Sequence, residues 1–284
     1  MNQLKTSTQM FNLMAATRVT FKEDDHSYHS EDGTNWTSVT TLISKFKRPF
    51  DPIKQATKSS KNKKSKWYNM SPEDIMKAWN TESQRSIELG SWYHKEREDG
   101  INALETITRE GLALPIIKPI ITNDIKEAPD QRLVEGIYPE HFAYLKSAGI
   151  CGQADRVEVY SGKVNIHDYK TNKEIKTKGF KNWEGVTDRM LAPLEHLDNC
   201  NLIHYTLQMS IYMYIILKHN PNLSPGILAL DHVTFRETGK DKFGYPIHKL
   251  INGEPVLKEL KTYNVPYMKS EVIAIINWLK ENNK

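Results

Sequence analysis

With 284 residues, 38% of them hydrophobic and 26% charged, the chain is long enough to bury a sizeable apolar core as one decorated domain. No apolar run approaches the roughly 20 residues of a bilayer span, which sets membrane insertion aside and leaves a soluble globular protein as the expectation. A net charge of +4 permits nucleic-acid binding without requiring it, and two distant cysteines, Cys151 and Cys200, indicate neither a disulfide framework nor a zinc or iron–sulfur site.

Residues 1–22 lack the apolar core of a secretory signal. They are free of acids, but their only cations are Lys5, Arg18 and Lys22, so a cytoplasmic location in a bacterial or phage-infected cell is expected, with mitochondrial import left open. Residues 26–30 and 36–40 flank the turn signal Glu31-Asp32-Gly33-Thr34 and read as a hairpin, followed by a short helix over 42–46. Residues 45–66 hold nine cations against one acid, Asp51, a local charge of +8; a solvated loop and a helix surface both fit. Ser71-Pro72-Glu73-Asp74 announces a helix by its N-cap serine and first-turn proline, and Thr81 with Gln84 reads as a second capping box. Pro115 and Pro119 interrupt residues 112–122, which suits an edge strand or an irregular connection better than a helix.

From residue 150 the pattern becomes two strands, 150–159 and 163–171, around the tight turn Ser161-Gly162. Residues 202–217 are apolar on nearly all sides and form a buried helix; 226–235 is another strand. Ser270 opens a last amphipathic helix with Val272, Ile275, Ile276 and Leu279 on one face. The sum is an α/β or α+β architecture, with residues 1–70 as an N-terminal hairpin and basic segment packed on a core of residues 71–284.

The turn fixes a register. If Ser161 and Gly162 form the loop, Tyr160 pairs with Lys163, Val159 with Val164 and Val157 with Ile166, and Asp155 then faces Asp168 with Lys170 on the same face. Opposed side chains lie about 4.5–5.5 Å apart at Cβ, where two carboxylates repel unless something neutralises them. Mg²⁺ or Mn²⁺, which take carboxylate, carbonyl and water oxygens, would do so, and a neighbouring lysine suits phosphodiester hydrolysis, where it orients the nucleophile or stabilises charge on the phosphate. An exposed hairpin with scattered charges is the bland alternative.

Gly152-Gln-Ala-Asp155 followed by Ile166-His-Asp168-Tyr-Lys170-Thr resembles the core of the PD-(D/E)XK nucleases. Gly90-Ser-Trp-Tyr-His94-Lys-Glu-Arg-Glu98 is similar to the upstream G-x-x-x-H-x-x-x-E helix of the RecB-like branch, and Gln208-Met-Ser-Ile-Tyr212 to its downstream Q-x-x-x-Y helix; the order matches as well. Looser similarity to mitochondrial genome maintenance exonucleases and phage-encoded exonucleases runs through Trp36-Thr-Ser-Val-Thr-Thr-Leu and residues 190–197.

The resemblance implies a restriction-endonuclease-like fold, a mixed central sheet flanked by helices with a long active-site loop. It also implies His94, Asp155, Asp168 and the Tyr169 carbonyl as metal ligands, Lys170 as the catalytic lysine, and Gln208 and Tyr212 as residues that organise the site. Glu98 is a further member of the pattern. Glu135 resembles an additional acidic residue of many relatives and reads equally as a surface glutamate. The cysteines of the cluster-bearing relatives are missing, so no iron–sulfur cluster is expected.

Taken alone, His94 is an ordinary histidine, and Gln208 and Tyr212 are polar exceptions on a buried helix. Lys173, Lys176, Lys178 and Lys181 are interleaved with Phe180 and Trp183, a composition suited to single strands and also to a plain surface loop. The expected activity is a Mg²⁺- or Mn²⁺-dependent exonuclease acting on single-stranded DNA or DNA ends. A structure-specific endonuclease or a catalytically silent nucleic-acid-binding module on the same scaffold are the alternatives.

Overall fold

The computed structural model describes residues 19–22, 27–122, 125–127, 131–182 and 184–282. Strands β1 (Val19–Lys22), β2 (Ser27–Ser30) and β3 (Thr37–Ser38) lead into helices α1 (Val39–Ser44), α2 (Pro52–Lys61) and α3 (Pro72–Asn102). Four short strands follow, β4 (Thr106–Arg109), β5 (Leu112–Pro115), β6 (Ile120–Thr122) and β7 (Ile125–Glu127), and then three long ones, β8 (Gly136–Leu145), β9 (Ile150–Tyr160) and β10 (Lys163–Lys170). Beyond helix α4 (Asn201–His219) come β11 (Ser224–Phe235), the small strands β12 (Glu237–Lys240), β13 (Pro246–His248), β14 (Leu250–Ile251) and β15 (Glu254–Pro255), the edge strand β16 (Leu257–Val265) and helix α5 (Lys269–Asn282).

The central sheet is mixed and runs β16–β11–β10–β9, with β8 along the whole of one edge of β9. The other edge of β9 is divided. β10 pairs with Arg156–Tyr160 in antiparallel fashion, while β3 pairs in parallel with Ile150 and Cys151 at the far end. β9 therefore parts from β10 in mid-strand. β10 and β11 are parallel, and the crossover between them carries the long segment 171–200 and helix α4.

Apolar periodicity explains how the layers close. Val157, Val159, Val164, Ile166, Leu228 and Leu230 on one sheet face meet Leu207, Ile211 and Ile215 of α4 and Val272, Ile275, Ile276 and Leu279 of α5, all buried in one cluster. The four α5 residues are those the helical spacing singles out. Ser71 caps α3, its hydroxyl accepting from the Asp74 N–H at 3.1 Å, and the 150–170 hairpin turns through Ser161 (φ 51°) and Gly162 (φ 69°), the left-handed pair that a two-residue type I′ turn needs. Its ladder runs Lys163↔Tyr160 to His167↔Arg156, the register expected from the turn, in which the next pair is Asp168 with Asp155.

Two expectations need correction. Residues 36–40 do not pair with 26–30: β2 pairs with β1, Thr37 and Ser38 join β9, and Ser38 caps a helix starting at Val39. The turn signal was sound, since Asp32 accepts from the Ser30 hydroxyl and the Thr34 N–H at 2.6 and 3.2 Å, but a turn does not specify which strand returns to it; His26 lies outside the described residues. Thr81 and Gln84 start no second helix. They lie inside the unbroken α3, where the Thr81 hydroxyl donates to the Lys77 carbonyl at 2.9 Å and Gln84 bonds Glu88. The basic stretch is divided: Asp51 caps α2 and Pro52 occupies its first turn, so Lys54, Lys58 and Lys61 are on helix surface, and the other six cations lie in the turns on either side.

Strand β8 is held in place by one buried side chain. Asn220, just past α4, donates to the Gln131 and Ile216 carbonyls and accepts from the Leu133 N–H, each at 2.8 Å, which fixes the chain leading into β8. Asn220→Ala strands buried backbone groups, so urea unfolding is expected to show a loss of about 2 kcal/mol or more; an unchanged midpoint would remove Asn220 from this role.

Candidate metal centre

The parting of β9 from β10 opens a crevice into which helix α3 delivers His94. Its Nε2 lies 3.1 Å from the Tyr169 carbonyl, and its Nδ1 lies 3.4 Å from Asp155 Oδ1 and 3.9 Å from Glu140 Oε1. Donor atoms of His94, Glu140 and Asp155 fall within 4.8 Å of one another, a spacing that one metal ion can span. The Tyr169 N–H donates to Asp155 Oδ2 at 2.6 Å, which orients the carboxylate.

Glu140 stands opposite Asp155 in the β8–β9 register, between the pairs Pro139↔Arg156 and His141↔Ala154. Three carboxylates, Glu140, Asp155 and Asp168, thus occupy successive positions across three adjacent strands. Two features of the backbone aim them. Glu140 has φ 46°, a left-handed conformation that costs a non-glycine residue about 1–3 kcal/mol. The inward alternation also shifts by one residue there: Tyr138 on one side of Glu140, and Ala143 and Leu145 on the other, all enter the main core. β9 shifts likewise between Ala154 and Val157. A break in the pleat re-aims side chains as a bulge does.

Lys170 Nζ sits 2.6 Å from Asp168 Oδ2 and 4.9 Å from the centroid of the Tyr205 ring, whose hydroxyl donates to Asn172. Asp168 is almost fully buried, and its Oδ1 has no hydrogen-bond partner. Burial lifts the Asp168 carboxyl to about 6, with Asp155 reinforcing and Lys170 opposing. At Asp155 burial also pushes upward, but His94 and Lys170 outweigh it and hold the group below the usual carboxylate range. Burial pulls His94 down, and Asp155 and Glu140 more than reverse this, pushing it up to about 11. The imidazole faces a carbonyl on one side and carboxylates on the other, so only a second ring proton or a cation in its place satisfies both.

From α4, Tyr212 reaches the same crevice. Its hydroxyl is bonded by Gln208 and is kept a neutral phenol by burial, and it fills the space that a Cβ at Gly152 would need, only 2.8 Å away. That close approach is a physical reason for glycine at the start of Gly152-Gln-Ala-Asp155.

Of the expected site residues, His94, Asp155 and the Tyr169 carbonyl come together, with Asp168 and Lys170 beside them, Tyr212 against Gly152 and Gln208 on the Tyr212 hydroxyl. Glu98 lies one turn beyond His94 on α3, half-buried. Glu135 is not a member: it sits at the other end of the hairpin, where its carboxylate accepts from the Ser161 N–H at 3.0 Å. Glu140 is instead the acid of β8 that lies opposite Asp155. It went unseen because β8 is buried on both faces and so shows no alternation, although a lone acid inside the run 136–145 was a usable signal. Lys173, Lys176, Lys178, Phe180 and Lys181 are exposed on the long segment, which Ile175, Met190 and Leu194 anchor in the core; Trp183 lies outside the described residues.

Glu140→Gln tests whether Glu140 belongs to the centre, because it keeps the side-chain shape and removes one charge. Titration calorimetry with Mn²⁺ is expected to show affinity falling about 10- to 100-fold; an unaltered isotherm would exclude Glu140 from the centre. Comparison with protein-family models, curated proteins and solved structures returned no match for this chain.

Proposed function

We propose that the protein is a Mg²⁺- or Mn²⁺-dependent deoxyribonuclease of the PD-(D/E)XK type, RecB-like and without an iron–sulfur cluster, acting as an exonuclease on single-stranded DNA or DNA ends. The observation that carries this reading is the row Glu140, Asp155 and Asp168 with Lys170 paired to its last member. A structural ion pair needs one carboxylate. Three carboxylates, an imidazole and a backbone carbonyl around one crevice form the oxygen-rich donor set that Mg²⁺ and Mn²⁺ take, and the unpartnered Asp168 Oδ1 is an acceptor left for a ligand.

Glu140, Asp155 and His94 would hold the cation, with Asp168 and the Tyr169 carbonyl, the other two expected ligands, next to them. When bound, it supplies Lewis acidity and neutralises charge at a phosphate. The protein's own groups divide the remaining work. Lys170, held cationic by Asp168 and Asp155 against the pull of burial, points a donor where negative charge accumulates on a phosphate oxygen in the transition state. Asp168 fixes that ammonium and offers its free oxygen to the attacking water. Gln208 and Tyr212 keep the back of the crevice filled, so the carboxylates hold their spacing. Among the described residues no helix is long and apolar enough to cross a membrane.

Purified protein is expected to degrade end-labelled single-stranded DNA with Mg²⁺ or Mn²⁺ and not with EDTA. Lys170→Ala and Asp168→Ala should each lower the rate about 100-fold or more while circular dichroism stays native. Circular single strands should resist cleavage. Undiminished cleavage by either variant would defeat the site assignment, and cleavage of circles would replace exonuclease with endonuclease action.

A further inference from the structure

Away from the carboxylates, a cavity of about 1150 Å³ lies between the first turns of α3, the segment before it and the turn joining β12 to β13. Its walls are aromatic: Trp67 lies 5.4 Å from Phe243 and 6.4 Å from Tyr245 between ring centroids. Trp79 continues the row behind Trp67, at 6.2 Å, and reaches Phe50, which is 68% exposed. Phe243 and Tyr245 are half-buried, and Lys242 Nζ lies over the Phe243 ring at 4.8 Å.

The charged groups on the walls differ in how they are partnered. Of the three acids, Asp241 is paired with Arg85 at 3.1 Å, Glu82 lies 3.6 Å from the same guanidinium, and Asp74 accepts from the Ser71 hydroxyl at the cap of α3. Lys77 and Lys242 have no acidic partner among the described residues. Lys66 Nζ bonds the Phe243 carbonyl at 2.6 Å and lies over the Trp67 and Tyr245 rings at 4.5 and 4.3 Å. Four cations, Lys66, Lys77, Arg85 and Lys242, against these three acids leave the walls a net charge of +1.

Partly exposed aromatic rings interleaved with ammonium groups match a chain with exposed bases and a phosphate at every step. A duplex offers the phosphates but hides the base faces. We propose that this groove is a binding subsite for single-stranded DNA, with bases stacked on Phe243 and Tyr245 and phosphates met by Lys66, Lys77 and Lys242. The subsite shares a helix with the metal centre. His94 lies nine positions beyond Arg85, about 14 Å along the axis of α3 at 1.5 Å per residue and on its opposite face, so a strand running from groove to crevice passes around the helix. The inference rests on the nuclease reading only in naming DNA as the strand and the crevice as its destination.

The test is fluorescence anisotropy of a fluorescein-labelled oligothymidylate of roughly 20 nucleotides with the full chain in EDTA, so that no cleavage enters the readout. Tyr245→Leu is expected to weaken binding about tenfold, as is the double variant Lys77→Glu/Lys242→Glu, which also flattens the salt dependence. A control, Lys258→Glu/Lys261→Glu on the edge strand β16, should leave affinity within about twofold of the parent. The lysine variants are at the surface, so they report even if Tyr245→Leu fails to fold. No binding by the parent chain, unchanged binding by the lysine variant, or an equal loss in the control would overturn the proposal. Cleavage is scored separately, so absent nuclease activity with groove-dependent binding sinks the nuclease reading alone.

Discussion

Mutual repulsion among Glu140, Asp155 and Asp168 is the constraint around which the rest of the molecule is arranged. Opposed side chains on neighbouring strands lie about 4.5–5.5 Å apart, and in a crevice sheltered from water like charges at that distance destabilise the fold. Positive charge must therefore be supplied locally, and two different elements supply it. Helix α3 brings His94 between Glu140 and Asp155, and β10 itself brings Lys170 to Asp168. The electrostatics point the same way: Asp155 is held low by its cationic neighbours, while Asp168, more deeply buried, is lifted in spite of its lysine. A cluster that demands so much compensation is a poor stability device and a good cation site.

The sheet gives up regularity to build that cluster. The antiparallel β9–β10 ladder ends at His167↔Arg156, and the Tyr169 N–H beyond it goes to the Asp155 carboxylate, so a bond that would have extended the sheet orients that carboxylate. On the other side, Glu140 accepts a left-handed backbone, and both β8 and β9 shift their alternation around it. These departures are tolerated because the apolar pairs Val157 with Ile166 and Val159 with Val164 lock the register a few residues away. Tyr212 then plugs the gap where β9 stands apart, in room made by Gly152.

Much of this was legible in the sequence, because the informative signals were local. A two-residue turn with a glycine fixes the register of everything leading away from it, which is why Asp155 and Asp168 could be placed opposite one another from arithmetic. Helix α4 and the buried face of α5 follow from period, and the start of α3 from its serine cap. The failures were non-local. The partner of β2 depends on β1, in a segment with little pattern, and Glu140 depends on β8 lying beside β9, which no spacing encodes. Glu135 drew attention by its distance along the chain from Asp155, whereas pairing across strands selects the residue five positions later. The aromatic groove was equally hidden, since Trp67 and Tyr245 are far apart in sequence and meet only when the β12–β13 turn folds over α3.

The most direct measurement of the central claim is anomalous diffraction from crystals of the protein grown or soaked with Mn²⁺. The account predicts a peak in the crevice within about 2.0–2.3 Å of donor atoms from Glu140, Asp155, His94 and the Tyr169 carbonyl, with the Asp168 carboxylate turned toward it. A crevice without a peak, His94 still bridging Asp155 and the Tyr169 carbonyl at saturating Mn²⁺, would contradict it.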